Sequence, residues 1–178
     1  MSATIFQCPA FTHDDVRKQP GIFLAGPIQG AGNWQKAAGL MLDTISRTYF
    51  IDVNVYNPRR EVRMEGEFTD KMYYEQVDWE QYHIKAAHER GVLLFWLDEE
   101  EMSKPGRAYA QTTRFELAEA ITQTARDDEL KLVVGWHHSF SGLRYIKYAL
   151  KNKAPHVKTA ETLFDLCQHA ILTVKYGR

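Results

Sequence analysis

The chain has 178 residues, a formal net charge of −1 and a hydrophobic content of 44%, values typical of one globular domain with a sizeable core. A charge this close to zero gives no general attraction to nucleic acid or to anionic membranes. No apolar run approaches the ~20 residues that a transmembrane helix needs.

The predicted elements alternate between strands and helices. Residues 1–20 show little periodicity and are expected to be an N-terminal extension of a single domain over 1–178, with a short edge strand near 4–7. Short apolar runs predict strands at 21–26, 53–56, 92–97 and 130–136, with a further short one at 155–158. Apolar residues at helical spacing predict helices at 34–49, from 71 or 73 to 90, at 112–126, at 141–151 and from 159 to about 174.

Several residues suit the ends of these elements. Asn33 and Thr159 are candidate N-caps, and Gly91 suits the residue after a helix. Asn57-Pro58 is expected to stop the second strand, and residues 59–70 are charged and loop-like. The connection over 98–111 is long for a compact domain, which is typical of a functional segment.

This alternation predicts an α/β fold with a mainly parallel sheet of about five strands and helices on both faces. In such sheets, ligands bind at the carboxyl ends of the strands. Asp98 follows the strand at 92–97, and Glu116 lies in the opening turn of the next helix. Both acids are therefore expected to line one cleft at that edge.

Glu116 has two interpretations. Thr113 and Glu116 have the spacing of a capping box, in which the glutamate would accept from the backbone N–H of Thr113. Alternatively, Glu116 is a catalytic carboxylate that attacks a sugar carbon and holds a covalent intermediate.

The loop over 26–32 contains Gly26, Gly30 and Gly32, but it matches neither the dinucleotide-binding fingerprint nor a Walker loop. It either wraps a small ligand closely or is a plain turn. The acids Asp78 and Glu80 flank Trp79 early in a helix, where negative charge favours the helix dipole. In a functional interpretation, Trp79 stacks on a base and one of the acids binds ribose hydroxyls.

Other sites are not indicated. The histidines His83, His88 and His137-His138 lack the spacing of a metal site, so neither a metal nor another cofactor is expected. No Gly-x-Ser-x-Gly motif is present. Cys8 and Cys167 form no C-x-x-C pair and residues 1–19 lack the pattern of a signal peptide, which predicts a reducing, cytoplasmic location.

An ordered set of motifs resembles the nucleoside 2-deoxyribosyltransferase family between about residues 21 and 150. Each stretch resembles the family segment at the same place in the order of elements. The stretches are Gly21-Ile22-Phe23-Leu24-Ala25-Gly26-Pro27-Ile28, Asn57-Pro58-Arg59-Arg60, Val77-Asp78-Trp79-Glu80, Leu93-Leu94-Phe95-Trp96 and Thr113-Arg114-Phe115-Glu116-Leu117-Ala118.

The resemblance implies a flavodoxin-like, Rossmann-like three-layer fold and cleavage of nucleoside N-glycosidic bonds. It implies that Glu116 is the nucleophile and that Asp98 contacts the base or assists proton transfer. It places Asp78 or Glu80 near the substrate, together with Trp79. Binding residues are also implied in the first strand and loop, namely Phe23, Gly26 and Pro27. The expected partners are a nucleoside, a nucleobase and further copies of the chain in a dimer or larger homo-oligomer.

Three activities stay open. The sugar passes to a second base in a transferase, or to water in a nucleoside or nucleotide N-hydrolase. A monophosphate substrate would need a serine- or arginine-lined pocket, which the loop over 29–32 does not predict. The third possibility is a non-catalytic nucleoside-binding or sensor domain. It is favoured by Phe23, which stands where the family often has a tyrosine that hydrogen-bonds the glutamate.

Overall fold

The computed structural model describes residues 1–12, 18–60, 69–103, 105–127 and 129–177. Six strands and five helices occur in this part of the chain. The strands are β1 Ala3–Gln7, β2 Gly21–Ala25, β3 Val53–Asn57, β4 Gly91–Leu97, β5 Leu132–Trp136 and β6 Lys158–Ala160. The helices are α1 Trp34–Thr48, α2 Asp70–Arg90, α3 Gln111–Thr124, α4 Leu143–Lys153 and α5 Leu163–Tyr176. Most of the loop predicted over 59–70 lies outside the described residues.

The strands form one sheet in the order β1-β3-β2-β4-β5-β6. All five pairings between them are parallel. Without β1, the order is the flavodoxin-like 2-1-3-4-5. The prediction of a three-layer α/β fold with a mainly parallel sheet is confirmed, and the sheet has six strands where about five were expected. The sixth strand is β1, which corresponds to the short edge strand expected near 4–7.

The two faces of the sheet bury separate cores because successive side chains of a strand point to opposite faces. In β4, Leu93, Phe95 and Leu97 lie in the core that Trp79 of α2 and Leu117 of α3 share. The alternate β4 residues, among them Trp96, lie in the other core, which α1 and α5 cover. The helix α2 and the helix α3 therefore meet on one face of the sheet.

The helix ends follow the capping chemistry of short polar side chains. The Asn33 side chain accepts a hydrogen bond from the backbone N–H of Lys36 at the start of α1. At the start of α5 the cap is Thr162, whose hydroxyl accepts from the backbone N–H of Asp165 at 3.1 Å. The prediction that Thr159 caps this helix is wrong, because Thr159 lies in β6 and pairs with Val134.

No helix within the described ranges combines the length and the apolar character needed to cross a membrane.

Candidate active site

A cavity of about 800 Å³ opens where the carboxyl ends of the central strands meet α2 and α3. Its described lining comes from the loop after β2, the residues after β3, the connection before α3, and the facing turns of α2 and α3. The volume is in the range of small-molecule sites. Its position is the strand-end edge where open α/β sheets bind ligands.

Glu116 lines this cavity from α3. The helix begins at Gln111, after Ala110, which adopts a left-handed conformation with φ 54° and provides no side-chain cap. Thr113 is consequently an internal helical residue, and its side chain is buried. The capping-box interpretation of Thr113 and Glu116 is wrong, because the N-cap is Ala110 and the helix starts three residues earlier than that interpretation requires.

Carboxyl groups face the cavity from both helices, Glu80 from α2, and Glu116 and Glu119 from α3. Burial raises the pKa of Glu116 to about 7, and the charges of Glu80 on α2 and Glu119 on α3 add to the increase. Burial also raises the pKa of Glu80, while a hydrogen bond from the side chain of Gln76 opposes that increase. Glu80 and Glu116 are therefore a coupled pair of acids, both poised to exchange a proton closer to neutrality than an exposed glutamate.

Arg59 shapes the side of the cavity that the loop after β2 forms. Its Nη2 donates to the carbonyl oxygens of Ile28 and Gly32 at 3.0 and 2.6 Å, and its Nε donates to the side chain of Gln35 at 2.9 Å. Burial lowers the pKa of Arg59, although a guanidinium stays charged in proteins. This side chain fixes the course of the loop by hydrogen bonding.

Phe23, Gly26 and Pro27 line the cavity, as the first strand and loop were expected to do. Gly26 has φ 155°, and a Cβ there would meet the carbonyl oxygen of Trp96 and lie 2.7 Å from the Trp34 ring. The Pro27 carbonyl accepts a hydrogen bond from the Trp34 indole at 2.9 Å. Glycine is therefore required at residue 26 by the turn and the close packing beneath it.

Asp98 does not belong to the described lining of the cavity. Its carboxylate accepts from the Trp96 indole at 3.0 Å. Asp98 follows the last residue of β4, and its charge acts on Arg59 and Tyr109, two residues that line the cavity. The expectation that Asp98 shares one cleft with Glu116 stays a prediction.

Asp78 and Trp79 are also outside the described cavity lining. The Trp79 side chain is fully buried, stacks against His83 with 4.1 Å between ring centroids, and donates its indole N–H to the Ala10 carbonyl at 2.8 Å. Asp78 is exposed. Of Asp78, Trp79 and Glu80, only Glu80 belongs to the described cavity lining. The interpretation of Trp79 as a base-stacking residue is wrong, because its side chain is part of the core.

The sequence interpretation missed several polar residues of the cavity, among them Gln76, Arg107 and Tyr109. Tyr109 Oη contacts the carbonyl oxygens of Asp98 and Glu99 at 2.9 and 2.8 Å. Burial raises the pKa of Tyr109, so its hydroxyl stays a donor. The sequence indicated a functional role for Tyr109 only through the length of the connection before α3, in which it lies. The indication for Gln76 was weaker, namely its position one helical turn before Glu80.

Within the described residues, no group of three or more His, Cys, Asp or Glu side chains is arranged to hold a metal ion. A family model described as nucleoside 2-deoxyribosyltransferase like matches residues 19–127. That span includes Phe23, the Arg59 contacts, α2 and Glu116. A comparison with curated proteins gives no match.

Proposed function

The chain belongs to the nucleoside 2-deoxyribosyltransferase-like family, and on this premise we propose that it cleaves the N-glycosidic bond of a deoxynucleoside through Glu116 and passes the sugar to a second base. The observation that carries the proposal is the pair formed by Glu80 and Glu116, two partly buried carboxyl groups facing one cavity. N-glycosidic cleavage needs a nucleophile for the sugar carbon and a proton for the leaving base.

Glu116 supplies the nucleophile in this proposal. Its ionised oxygen attacks C1′ of the sugar, the C1′–N bond breaks, and the electron pair leaves with the base nitrogen. The oxocarbenium-like centre at C1′ is stabilised by the nearby carboxylate. Because the pKa of Glu116 is raised to about 7, the side chain ionises fully only above neutral pH in the free protein.

Glu80 supplies the proton in this proposal. Its pKa is also raised by burial, so it stays protonated at a higher pH than an exposed glutamate. The pair performs both roles when its one proton lies on Glu80 and Glu116 is ionised. Because the charge of Glu80 raises the pKa of Glu116 in the free protein, the proposal requires that the proton moves from Glu116 to Glu80 when the nucleoside binds, and the two groups titrate as a unit. When the second base attacks C1′, its proton returns to Glu80 and the ester bond to Glu116 breaks.

Phe23 is consistent with this division of roles. Its ring is buried and lies 6.3 Å from the ring centre of Trp79, so it offers the cavity an apolar surface and no hydrogen bond. A wall without a donor preserves the desolvation that raises the pKa of Glu116. The polar partner that a tyrosine provides elsewhere in the family is replaced, in this proposal, by Glu80.

The test is an incubation with deoxyinosine and adenine, followed by product analysis. Formation of deoxyadenosine is expected, and free deoxyribose would indicate that water is the acceptor. The Glu116→Gln variant should lose several orders of magnitude in turnover, as expected when an essential nucleophile is removed. Intact-protein mass spectrometry should detect a deoxyribosyl adduct on the native chain and none on the variant.

Glu161→Gln is the matched control because it makes the same chemical change on a side chain that is 74% exposed and outside the described cavity lining. Its turnover should equal that of the native protein. Near-normal turnover by Glu116→Gln would reject the mechanism. Binding of deoxyinosine with no product and no adduct would instead identify a non-catalytic nucleoside-binding domain.

A further inference from the structure

Gln76 lies at the centre of a hydrogen-bonded cluster one turn before Glu80 on α2. Its Nε2 donates to Glu80 Oε1 at 2.7 Å and to the Pro58 carbonyl at 2.8 Å. Its Oε1 accepts from Arg60 Nε at 3.0 Å and from the Cys8 thiol at 2.9 Å. All the hydrogen-bonding directions of a side-chain amide are thus used, by residues from three separate parts of the chain.

The chemistry of the partners fixes which end of the amide faces which neighbour. Arg60 Nε is only a donor and the Pro58 carbonyl is only an acceptor. Burial raises the pKa of the Cys8 thiol to about 11, so Cys8 keeps its proton and also acts as a donor. If the Gln76 amide were flipped, its NH₂ group would face the Arg60 donor and its oxygen would face the Pro58 carbonyl oxygen. Both contacts would then be repulsive, so the flipped orientation is disfavoured.

This fixed orientation determines where Glu80 can carry a proton. The amide nitrogen of Gln76 only donates, so Glu80 Oε1 accepts from it. The carbonyl oxygen of a neutral carboxyl group is a better acceptor than its hydroxyl oxygen, so this contact favours a proton on Oε2. We propose that Gln76 is a positioning residue that reserves Oε1 of Glu80 as an acceptor and leaves Oε2 as the single oxygen that exchanges a proton with the base. This inference rests on the function proposed above for the pair of carboxyl groups.

The proton follows one path in this arrangement. As the C1′–N bond breaks, the Oε2–H bond of Glu80 breaks too, the proton joins the base nitrogen, and its bonding electrons stay on Oε2. The resulting carboxylate is stabilised by the amide N–H that already points at Oε1. In the second half of the reaction, Oε2 takes the proton of the incoming base or water. Gln76 thereby helps Glu80 to release its proton, and a rotated carboxyl group would present the wrong oxygen.

The charged and titratable groups around Glu80 set the direction of the expected pH effect. Glu116 and Glu119 face the cavity from α3, Arg60 lies after β3, and Cys8 lies after β1. The hydrogen bond from Gln76 favours the ionised form of Glu80, so its loss should raise the sum of the two apparent pKa values of the pair with Glu116. The direction of this change is the same whichever carboxyl group loses its proton first.

The experiment is a carboxyl ¹³C NMR titration of the full-length protein labelled at glutamate, in the native chain and in Gln76→Met. The signals of Glu80 and Glu116 are assigned with Glu80→Gln and Glu116→Gln. In Gln76→Met, the sum of the two apparent pKa values should rise by about 1–2 units, the value of one hydrogen bond to a carboxylate. Unchanged or lower values would overturn the proposal.

Gln168→Met is the matched control, because Gln168 on α5 also donates its amide from a partly buried position, to Tyr49 Oη at 3.1 Å. It should leave the titration of Glu80 and Glu116 unchanged. Gln76→Glu is the second variant, since it keeps the length of the side chain and replaces the donor by an acid. It should raise the same sum further, and its folding is checked by far-UV circular dichroism.

Kinetics separate this inference from the proposed function. In a protein that cleaves deoxyinosine, Gln76→Met should lower kcat on the order of 10²-fold, as a misplaced catalytic group does, with KM changing much less. A titration shift with normal kcat would overturn the role of Gln76 in proton exchange. If the native protein cleaves no deoxynucleoside, the proposed function fails, while the titration still decides whether Gln76 controls the proton on Glu80.

Discussion

The Nη2 of Arg59 lies 2.6 Å from the carbonyl oxygen of Gly32, so a side chain that follows β3 holds the loop that follows β2. The same guanidinium reaches Gln35 through Nε. Since the loop after β2 forms one wall of the cavity, the shape of that wall depends on the two-sided donor geometry of arginine.

Arg59→Lys should lower the melting temperature and raise KM for a deoxynucleoside. A lysine keeps the charge, but its single nitrogen cannot reach Gly32 and Gln35 together, and a buried acceptor left unpaired costs roughly 1–3 kcal/mol. Thermal unfolding and steady-state kinetics measure both effects. Arg47→Lys is the control, because its single pair with Asp43 is largely exposed and worth little. Equal melting temperatures for the two variants would contradict this account of the loop.

Trp79→Phe should lower stability and leave nucleoside binding nearly intact. The fully buried indole loses its hydrogen bond to the Ala10 carbonyl and part of its packing against His83, which together cost about 2–4 kcal/mol of unfolding free energy. Chemical denaturation and a binding titration with deoxyinosine measure the two quantities. Weakened binding at unchanged stability would contradict this account and indicate that Trp79 contacts the nucleoside.

The sequence was sufficient for the order of the elements and for the edge at which the cavity lies. The apolar run of β4 and the helical spacing in α1 each depend on which side chains of one element are buried. The periodicity of apolar residues predicts that burial directly. The position of Glu116 after β4 predicted it at this edge, whereas the motif around Trp79 left Asp78 and Glu80 as alternatives. The roles of these acids stay predictions.

The direction of side chains across the sheet was harder to obtain. Asp98 was predicted to line the cleft from its position after β4, and no sequence pattern predicted that its carboxylate accepts from the Trp96 indole. The start of α3 depends on the left-handed Ala110, a backbone state that alanine seldom adopts, so the residue type gave no indication of it. The contacts of Gln76 with Cys8 and Arg60 join residues 68 and 16 positions apart, and one sequence holds no record of such pairings.

Gly26→Ala should destabilise the protein more than Gly106→Ala. Both glycines have positive φ, 155° and 75°, so each variant carries backbone strain. A Cβ at Gly26 also meets Trp96 and Trp34, whereas a Cβ at Gly106 meets no atom of the described residues within 4 Å. We expect a loss of about 1 kcal/mol at Gly106 and of a further 1–3 kcal/mol from overpacking at Gly26. Urea unfolding of both variants measures the difference, and equal losses would exclude the packing contribution.

Glu116→Gln should stabilise the protein at pH 8 and leave its stability unchanged near pH 4.5. Burial raises the pKa of Glu116 from its ordinary value of 4.5 to about 7 in the folded protein. Between these two pH values the folded state holds a proton that the unfolded state has released. Stability therefore falls as the pH rises from 4.5 to 7 and stays reduced above 7.

Glutamine carries no charge, so the variant avoids this loss. One pKa unit corresponds to about 1.4 kcal/mol, which bounds the effect near 3 kcal/mol, and partial solvation of Glu116 reduces the expected gain to about 1–2 kcal/mol. Melting temperatures between pH 4.5 and 8 measure it.

Glu161→Gln supplies a control of opposite sign, because hydrogen bonds from Lys147 and Trp136 lower the pKa of Glu161. Its carboxylate stabilises the fold above its unfolded pKa, so that variant should lose stability at pH 8. A Glu116→Gln variant that is also less stable at pH 8 would show that Glu116 serves the fold, and the desolvated carboxyl pair proposed as the catalytic centre would lose its physical basis.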